Sequence, residues 1–442
     1  MTEEIVALLD GKEAGRVHHD RGRLSFVYNE EWRNAADAYP LSLSMPLAGK
    51  EHSRAVIEPY LWGLLPDSGY VLDRWAAKFQ VSARNAFALI SHVGEDCAGA
   101  VQFVTPERLA ATNGGREDEV EWLDEADIAK RLQALRADHA AWRLPRDKGQ
   151  FSLAGAKPKT ALLLQNGRWG VPAGRPPTTH ILKPPTGQLA GQAENEHLCL
   201  VLARAIGLPA ARSQIMRFGD EIAIVIERYD RFDAGNAVLR VHQEDICQAR
   251  GIMPTRKYQN EGGPNPFAIA DLLRTYSSSR AADVDTFIAS LGFNWIIAGT
   301  DAHAKNFSLL HGPRRARLAP LYDVASNLPH DGSDLRKLKL AMKIGGEYKL
   351  GQIGLRQWQK FARKARVNAD QLIERLTSMA KQIPDKAMGA SALAREQGLD
   401  AAMVERLTTQ LIERARACER VLAGTHPVPQ AEPAAKRAER VP

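Results

Sequence analysis

The chain has 442 residues, of which 44% are hydrophobic and 25% charged; this is typical of a globular protein and excludes a disordered or fibrous one. Its 59 lysines and arginines against 52 aspartates and glutamates give a net charge of +7, which is compatible with nucleic acid or nucleotide partners but diagnostic of neither. Four scattered cysteines without a CxxC pair argue against a disulfide scaffold or a structural zinc site. Without a bilayer-length apolar run or a secretory signal pattern, we expect a cytoplasmic protein with no membrane partner.

The first hundred residues are predicted to contain several short strands. Asp10-Gly11 is a hairpin turn signal, and a helix is predicted over residues 70–79. The predicted strands are residues 5–9, 24–28, 41–46 and 99–104. Residues 1–105 are therefore predicted to form a small β-rich subdomain, followed over 106–150 by a polar connector and a helix.

The pattern of residues 151–232 is that of a β-meander interrupted by one helix. Asn166-Gly167 is a strong signal for a type I′ turn, and the helix over residues 194–206 stops at Gly207. Residues 233–424 have mostly helical periodicity, with helices predicted over 287–298, 372–383 and 404–422. The Pro/Ala/charge-rich tail, 425–442, is predicted to be disordered.

The most informative group of polar residues follows the predicted helix 287–298. Asp301 is followed five positions later by Asn306, and Asp323 comes seventeen residues after Asn306. Phosphoryl transfer needs one carboxylate to orient or deprotonate the attacking hydroxyl, and an amide oxygen with a second carboxylate to hold Mg²⁺. Each residue alone is more commonly a helix cap, a turn residue or a loop carboxylate, but the ordered set favours a phosphotransferase.

Three further features fit nucleotide binding, although each is weak by itself. Lys183 ends an apolar strand, where a lysine can reach phosphates, but most lysines are surface residues. The loop 151–160 has small residues and lysines that suit phosphate, yet it is neither a Walker A motif nor GxGxxG and could be an ordinary loop. The strand 222–226 runs into residues 227–230 (ERYD), where adenine would meet backbone groups; a charged strand end is the commoner interpretation.

The order of these parts is that of a protein-kinase-like phosphotransferase. Over residues 1–424 the chain resembles the HipA family, the serine/threonine-kinase toxins of bacterial toxin–antitoxin modules. The segments that carry the resemblance are 40–47 (PLSLSMPL), 94–102 (GEDCAGAVQ), 152–156 (SLAGA), 179–183 (THILK), 227–230 (ERYD), 301–306 (DAHAKN) and 322–323 (YD). The resemblance implies an α+β fold: a two-lobed kinase-like body with a β-meander N-lobe over 151–232 and an all-helical C-lobe over 233–424, preceded by the β-rich subdomain.

The resemblance also implies roles for single residues. Asp301 is implied to be the catalytic base, and Asn306 and Asp323 are implied to bind Mg²⁺. The implied ATP-binding residues are Ala154, Gly155, Ala156, Lys157, Lys159, Lys183, Glu227, Tyr229, His303, Asn306 and Asp323. Ser152 matches the family's autophosphorylated serine; a phosphate there would add about −1.5 to −2 charge, and we hypothesise that repulsion expels the loop and switches the kinase off. A plain turn serine is the alternative.

The cofactors and partners implied by the family are ATP, Mg²⁺, a HipB-like helix-turn-helix antitoxin and a protein substrate. An aminoacyl-tRNA synthetase is the expected substrate class, with glutamyl-tRNA synthetase the first candidate. Basic runs at 314–317, 336–339 and 360–366 are either solvated surfaces or contacts to operator DNA. Because the chain shows no recognition helix, we expect DNA association only through the antitoxin complex.

The sequence departs from ordinary protein kinases in two places. His303 stands two residues after Asp301, where most kinases have lysine, and residues 322–324 (YDV) replace Asp-Phe-Gly, so a conventional activation-loop switch is in doubt. Glu196 is either a partner of Lys183 or a solvated helix residue. Two other functions stay open: a kinase of the same fold acting on a small molecule or lipid, and a non-catalytic corepressor with a vestigial ATP site.

Overall fold

The structure is a computed structural model that describes residues 3–113, 119–144, 147, 151–185, 191–235, 237–313, 315–328, 335 and 337–424. The predicted tail, 425–442, lies outside these residues. The strands are β1 (Glu3–Leu9), β2 (Lys12–Asp20), β3 (Arg23–Tyr28), β4 (Glu51–Ser53), β5 (Gln102–Val104), β6 (Glu119–Leu123), β7 (Thr160–Gln165), β8 (Arg168–Ala173), β9 (His180–Lys183), β10 (Ser213–Phe218), β11 (Glu221–Glu227), β12 (Arg231–Asp233), β13 (Val238–Arg240), β14 (Gln243–Asp245), β15 (Ser308–Gly312), β16 (Arg315–Leu318), β17 (Lys339–Ile344) and β18 (Glu347–Lys349). The helices are α1 (Glu30–Asn34), α2 (Arg54–Leu64), α3 (Gly69–Phe79), α4 (Ala86–Val93), α5 (Pro106–Asn113), α6 (Glu125–Ala137), α7 (Gln192–Ala205), α8 (Ile246–Ala249), α9 (Pro266–Tyr276), α10 (Arg280–Ile296), α11 (Leu355–Ala365), α12 (Ala369–Glu396) and α13 (Ala401–Leu422).

The N-terminal part is built on an antiparallel sheet with strand order β4-β3-β2-β1-β5. Leu24, Phe26 and Tyr28 alternate along β3 and are buried, as a half-buried strand requires. Asp10 and Gly11 both have positive φ, the conformation that a two-residue hairpin turn needs. Helices α2 and α4 pack with the sheet, so this part is mixed α and β rather than strands alone.

The prediction of a strand over 41–46 is wrong, because this segment is a turn. The Ser42 hydroxyl donates to Oε2 of Glu244 at 2.5 Å, and the Ser44 hydroxyl donates to the carbonyl of Gln248 at 2.9 Å. Serine side chains that bond nearby polar groups compete with strand pairing. The alternation of leucine and serine thus reflects an interface with the C-terminal half of the chain.

The nucleotide-lobe sheet has the order β10-β11-β9-β7-β8-β6 and is antiparallel throughout. Asn166 and Gly167 have positive φ at the β7–β8 turn, as predicted. Strand β6 and helix α5 come from the stretch that we expected to be a connector. Polar residues in β6 concealed the strand, because β6 is an edge strand with an exposed face.

The C-terminal half is mainly helical, but it is not all helical as predicted. It also contains the three-stranded sheet β14-β15-β16 and the hairpin β17-β18. These strands are three to six residues long, too short for a clear period-two pattern. The core is formed by α9 to α13, with α10 buried around Phe287 and Trp295.

The N-terminal core does not consist of N-terminal residues alone. Trp142, Phe151 and Leu153 are buried in the same apolar cluster as Ile5, Phe26 and other residues of the N-terminal sheet. The chain segments on either side of residue 105 therefore share one core. Among the described residues, none of the helices combines the length and the apolar character that a membrane crossing would require.

Candidate active site

A cavity of about 210 Å³ lies where the N-terminal part, the nucleotide-lobe sheet and the helical half meet. It brings together all the residues predicted to bind ATP, bind Mg²⁺ or act as the base: Ala154, Gly155, Ala156, Lys157, Lys159, Lys183, Glu227, Tyr229, Asp301, His303, Asn306 and Asp323. Ser152 is not part of its lining. Residues up to 169 positions apart in sequence thus converge on one concave site, which is the usual form of a small-molecule site.

Lys183 forms a buried ion pair with Glu196 on one wall of the cavity. The Nζ of Lys183 is 2.7 Å from both carboxylate oxygens of Glu196, and Glu196 is 1% exposed. Strand pairing in β9 fixes the lysine backbone, while helix α7 carries the glutamate. The hypothesis that Glu196 pairs with Lys183 is confirmed, and the pair holds a lysine at the end of a strand in one orientation.

The loop before β7 is braced by Lys159. Its Nζ donates to the carbonyl of Ala154 at 2.7 Å, and a Cβ on Gly155, which has φ +97°, would lie 2.8 Å from that Nζ. Burial, followed by repulsion from Lys183, lowers the pKa of Lys159 to about 7. The loop therefore needs glycine at position 155, and its lysines place positive charge beside the cavity.

Asp323 and Asn306 offer the oxygen ligands that Mg²⁺ prefers. Asp323 Oδ1 accepts a hydrogen bond from Lys157 Nζ at 2.8 Å, and the charges of Lys157 and Lys183 outweigh burial and hold the Asp323 pKa well below its usual range. Asn306 donates its Nδ2 to the carbonyl of Asp301 at 2.8 Å, which leaves the amide oxygen as an acceptor. One carboxylate, one amide oxygen, water and substrate phosphates form a suitable donor set for Mg²⁺.

Asp301 lies at the open side of the site. Its side chain is 60% exposed, and its Oδ1 accepts a hydrogen bond from the hydroxyl of Tyr258. The ring nitrogen Nε2 of His303 lies 3.8 Å from the same oxygen, and burial lowers the pKa of His303 to about 4. Near neutral pH, Asp301 therefore has a phenol donor and a neutral imidazole beside it, and it is accessible to a second substrate.

Glu227 and Tyr229, the two implied ATP-binding residues of segment 227–230 (called the hinge below), differ in burial. Glu227 is exposed at the end of β11, and its backbone N–H is bonded to the carbonyl of Arg212 at 2.9 Å. Tyr229 is half-buried: its hydroxyl donates to Gln243, and its ring lies 5.7 Å from that of Tyr322. Glu227 is thus accessible at the edge of the cavity, whereas the ring of Tyr229 packs against that of Tyr322 in the cavity wall.

The hinge is also tied to the N-terminal part by a buried ion network. Arg228 donates to both carboxylate oxygens of Asp230, at 3.0 and 2.9 Å, and Asp230 in turn accepts the backbone N–H of Gly99 at 2.6 Å. Asp96 accepts from Arg231 and from the hydroxyl of Thr178, at 2.8 and 2.6 Å. The ERYD segment therefore has an anchoring function that its position near a hinge did not predict.

The sequence did not predict that Asp67 and Tyr258 belong to the site. Asp67 belongs to the N-terminal part, yet it lines the cavity and contacts two lysines of the helical half, Lys257 and Lys305. Burial acts to raise the Asp67 pKa, but the two lysines outweigh it and lower that pKa to about 2. Neither residue lies in a recognisable motif, so only the fold reveals their place.

Ser152 is completely buried near the start of the loop 151–160. Its hydroxyl donates to the carbonyl of Leu64 at 2.8 Å, and its backbone N–H is bonded to the carbonyl of Asp96 at 2.9 Å. In this arrangement the hydroxyl does not face the cavity. Any transfer to Ser152 therefore requires the loop to move first.

A sheet lysine paired with a helix glutamate lies opposite an Asp-x₄-Asn segment and a further aspartate from a helical half, and this arrangement defines a two-lobed protein with a kinase-like fold. Residues 5–104 match the HipA N-terminal domain family, and residues 151–387 match the HipA-like C-terminal domain family. The chain belongs to the HipA family.

Relatives and solved structures agree with this membership over nearly the whole chain. The candidate kinase Y4mE of Sinorhizobium fredii is 35% identical over 411 residues, which cover 92% of this chain and 96% of that protein. The serine/threonine-protein kinase toxin HipA of Shewanella oneidensis is 29% identical, covering 89% of this chain and 90% of that one. The solved complex of Shewanella oneidensis MR-1 HipA with HipB and its operator DNA is similar with a TM-score of 0.80 and 26% identity, covering 95% of this chain and 99% of that one.

Proposed function

We propose that this chain is an ATP- and Mg²⁺-dependent serine/threonine kinase toxin that transfers the γ-phosphoryl group to a protein hydroxyl. The observation that carries the proposal is the convergence of the Lys183–Glu196 pair with Asp301, Asn306 and Asp323 on one cavity. A vestigial nucleotide site would have no reason to retain this complete set. The names of the relatives, two of them kinases, support the same activity.

The chemistry follows from the placement of charge. Lys183 and Lys157 supply positive charge for nucleotide phosphates, and bound Mg²⁺ would add the charge that stabilises the transferring group. Asn306 and Asp323 would hold that ion. The carboxylate of Asp301 belongs to a side chain that is 60% exposed, against 28% for Asp323, which suits orientation and deprotonation of an incoming hydroxyl.

Phosphotransfer from labelled ATP, with and without Mg²⁺, tests the proposal. We expect Asp301→Asn to abolish transfer while an ATP-Mg-dependent rise in melting temperature persists, because Asp301 lies at the acceptor side. Asp285→Asn, which changes an exposed aspartate of α10 that pairs with Arg375, is the matched control and should retain activity. Transfer by Asp301→Asn at the wild-type rate would refute the assignment of the base.

Two alternatives are separated by further measurements. If ATP-Mg leaves the melting temperature of the wild-type chain unchanged, the non-catalytic corepressor is favoured. If labelled phosphate reaches lipids or small metabolites but no protein in an extract, the kinase acts on a small molecule or lipid. The proposed protein kinase instead labels a protein band that disappears with Asp301→Asn.

We further propose that Ser152 is an autophosphorylation site that switches the kinase off. A phosphate on the buried hydroxyl would add about −1.5 to −2 charge at the place where the Leu64 carbonyl now accepts a hydrogen bond from that hydroxyl. Because this charge would meet a carbonyl oxygen in a buried place, the loop could not return to this position. Mass spectrometry after incubation with ATP-Mg tests this. Absence of phosphate on Ser152 in an active preparation would end the proposal.

The proposed partners are a HipB-like antitoxin, operator DNA bound through that complex, and an aminoacyl-tRNA synthetase as substrate, glutamyl-tRNA synthetase first. The solved relative bound to HipB and operator DNA supports the first two. Arg356, Lys360 and Arg363 are exposed on one face of α11 and fit DNA phosphates. Co-purification with phosphoproteomics would identify antitoxin and substrate; the antitoxin complex carrying Lys360→Glu and Arg363→Glu should bind operator DNA less tightly if this face contributes.

A further inference from the structure

A short segment of the N-terminal part, residues 64–67, lies directly against the loop 151–160, called the phosphate-binding loop below for its proposed role. The Leu64 carbonyl accepts the Ser152 hydroxyl, and the backbone N–H of Asp67 donates to the carbonyl of Gly155 at 3.3 Å. Pro66 and Gly155 form a parallel β-bridge between them. The loop is thus held at both ends of residues 152–155 by backbone groups from outside the nucleotide lobe.

The side chain of Asp67 reaches in the other direction, to the helical half. Its Oδ1 lies 2.6 Å from Lys305 Nζ, and its Oδ2 lies 2.9 Å from Lys257 Nζ. The side chain of Lys305 is only 3% exposed and that of Asp67 14%, so this contact is shielded from water. Lys305 immediately precedes Asn306 and lies four residues after Asp301, which places the ion pair on the segment 301–306 that carries the proposed base, called the catalytic loop below.

From these contacts we infer that Asp67 is a positioning residue that ties the phosphate-binding loop to the catalytic loop, so that the N-terminal part completes the active site. The inference rests on the proposed kinase function for its catalytic consequence, but not for the contact. The backbone of Asp67 holds Gly155, and its carboxylate holds Lys305. A single residue therefore sets the position of the loop proposed to hold the ATP phosphates relative to the loop that carries the proposed base.

The arrangement has an electrostatic reason. Lys257 and Lys305 converge on one carboxylate, and without its negative charge the partly exposed ammonium group of Lys257 and the shielded one of Lys305 would repel each other. Lys305 would then leave its position, and the loop from 301 to 306 would lose an anchor. Since reacting atoms must be held in a narrow range of geometry, we expect turnover to suffer more than nucleotide affinity.

Asp67→Asn, made in the full-length chain, tests the inference. We expect at least a tenfold loss of kcat for transfer to a protein acceptor, with the KM for ATP changed less than threefold. Hydrogen exchange should become faster in residues 152–158 and 301–306 together. Asp67→Glu, which keeps the carboxylate, should recover part of kcat. Asp37→Asn is the matched control, because Asp37 also belongs to the N-terminal part and pairs with a lysine, Lys12, but this pair is exposed.

Lys305→Met breaks the same contact from the opposite side and serves if Asp67→Asn does not fold. In the double variant Asp67→Asn/Lys305→Met the loss of kcat should be no larger than in the single variant with the greater loss. Wild-type kcat or unchanged exchange in both loops would overturn the inference. If the wild-type chain transfers no phosphate, the proposed function fails, while the exchange comparison still decides whether Asp67 links the two loops.

Discussion

The hydroxyl of Tyr258 donates a hydrogen bond to Oδ1 of Asp301, although the two residues are 43 positions apart. The same segment supports the catalytic loop a second time, because the backbone N–H of Ala304 is bonded to the carbonyl of Lys257 at 3.3 Å. The proposed base is therefore oriented by residues that precede α9, outside the Asp-x₄-Asn motif. This relationship makes Tyr258 a direct test of how far Asp301 depends on its neighbours.

Tyr258→Phe should lower kcat roughly tenfold and leave ATP binding unchanged. A hydrogen bond to a charged group is worth about 1.5–3 kcal/mol, and the partial exposure of Tyr258 argues for the lower end of that range. Steady-state kinetics with varied ATP would measure the effect. Tyr70→Phe is the control, since Tyr70 also donates to an aspartate, Asp138, but on the surface. Equal kcat in both variants would contradict the proposed role.

Removal of one partner of the Lys183–Glu196 pair should destabilise the chain as well as inactivate it. Glu196→Ala leaves a buried ammonium without its partner, a change that costs about 3–5 kcal/mol in comparable sites. The double variant Lys183→Met/Glu196→Leu should recover much of that stability but no activity. Urea unfolding and an ATP-Mg thermal shift would measure the two effects separately. A Glu196→Ala chain as stable as the wild type would show that the pair is not structurally important.

The buried network around the hinge predicts a stability defect at a position without contact to the reacting groups. Arg228→Leu leaves the Asp230 carboxylate with fewer buried partners and should reduce the free energy of unfolding by about 3–5 kcal/mol. Arg54→Leu is the control, because Arg54 pairs with Glu58 on the surface and such pairs contribute little. Chemical denaturation of the two variants provides the comparison; similar losses in both would refute the special importance of the network.

Three buried histidines and the half-buried His180 predict that the protein loses stability in mild acid. Burial lowers the pKa of His180, His197 and His303 to about 4 and that of His242 to about 3. An unfolded histidine binds its proton near pH 6.5. Between pH 6.5 and 4 the unfolded chain therefore holds more protons than the folded one, and stability falls as the pH drops, by about 1.4 kcal/mol per unit for each histidine.

Buried carboxyls act against this trend. Burial raises the pKa of Asp245 to about 7 and also raises the pKa of Glu95 and of Glu194, so their neutral forms favour the folded chain in acid, but they oppose four histidines. We expect the free energy of unfolding, measured in urea at pH 7.0 and 5.0, to fall with pH. In His197→Leu the difference between the two values should be smaller. An identical difference in wild type and variant would contradict the assignment to buried histidines.

Hydrophobic periodicity and turn residues were sufficient to predict the strands, helices and turns that have a clear local signal in the sequence. The hairpin at Asn166-Gly167, the strand that ends at Lys183 and helix α3 were all predicted from such signals. Strand β6 and the turn over 41–46 were not, because an edge strand has few apolar residues and a serine hydroxyl can bond to a distant carboxylate. These features depend on partners far along the chain.

The residues of the candidate site also fall into two groups, those that the sequence predicted and those that only the structure revealed. The spacing of Asp301, Asn306 and Asp323 was visible in the sequence because the three residues lie close together in the chain and fit the needs of one proposed reaction. Asp67 and Tyr258 were not, because their importance comes from contacts made only after folding. A carboxylate after a helix and a tyrosine in a loop have no distinctive neighbours. Their roles follow from the juxtaposition of three separate parts of the chain.

The shared apolar core has a consequence for synthesis. Trp142, Phe151 and Leu153 fill the cluster that contains Phe26 and the rest of the N-terminal sheet, so a nascent chain of 105 residues on the ribosome still exposes an unfilled apolar surface. Such intermediates are prone to aggregate or to recruit chaperones. The apolar core of the N-terminal part is thus completed by residues that are translated later. The proposed base and the proposed Mg²⁺ ligands leave the ribosome after this core can close.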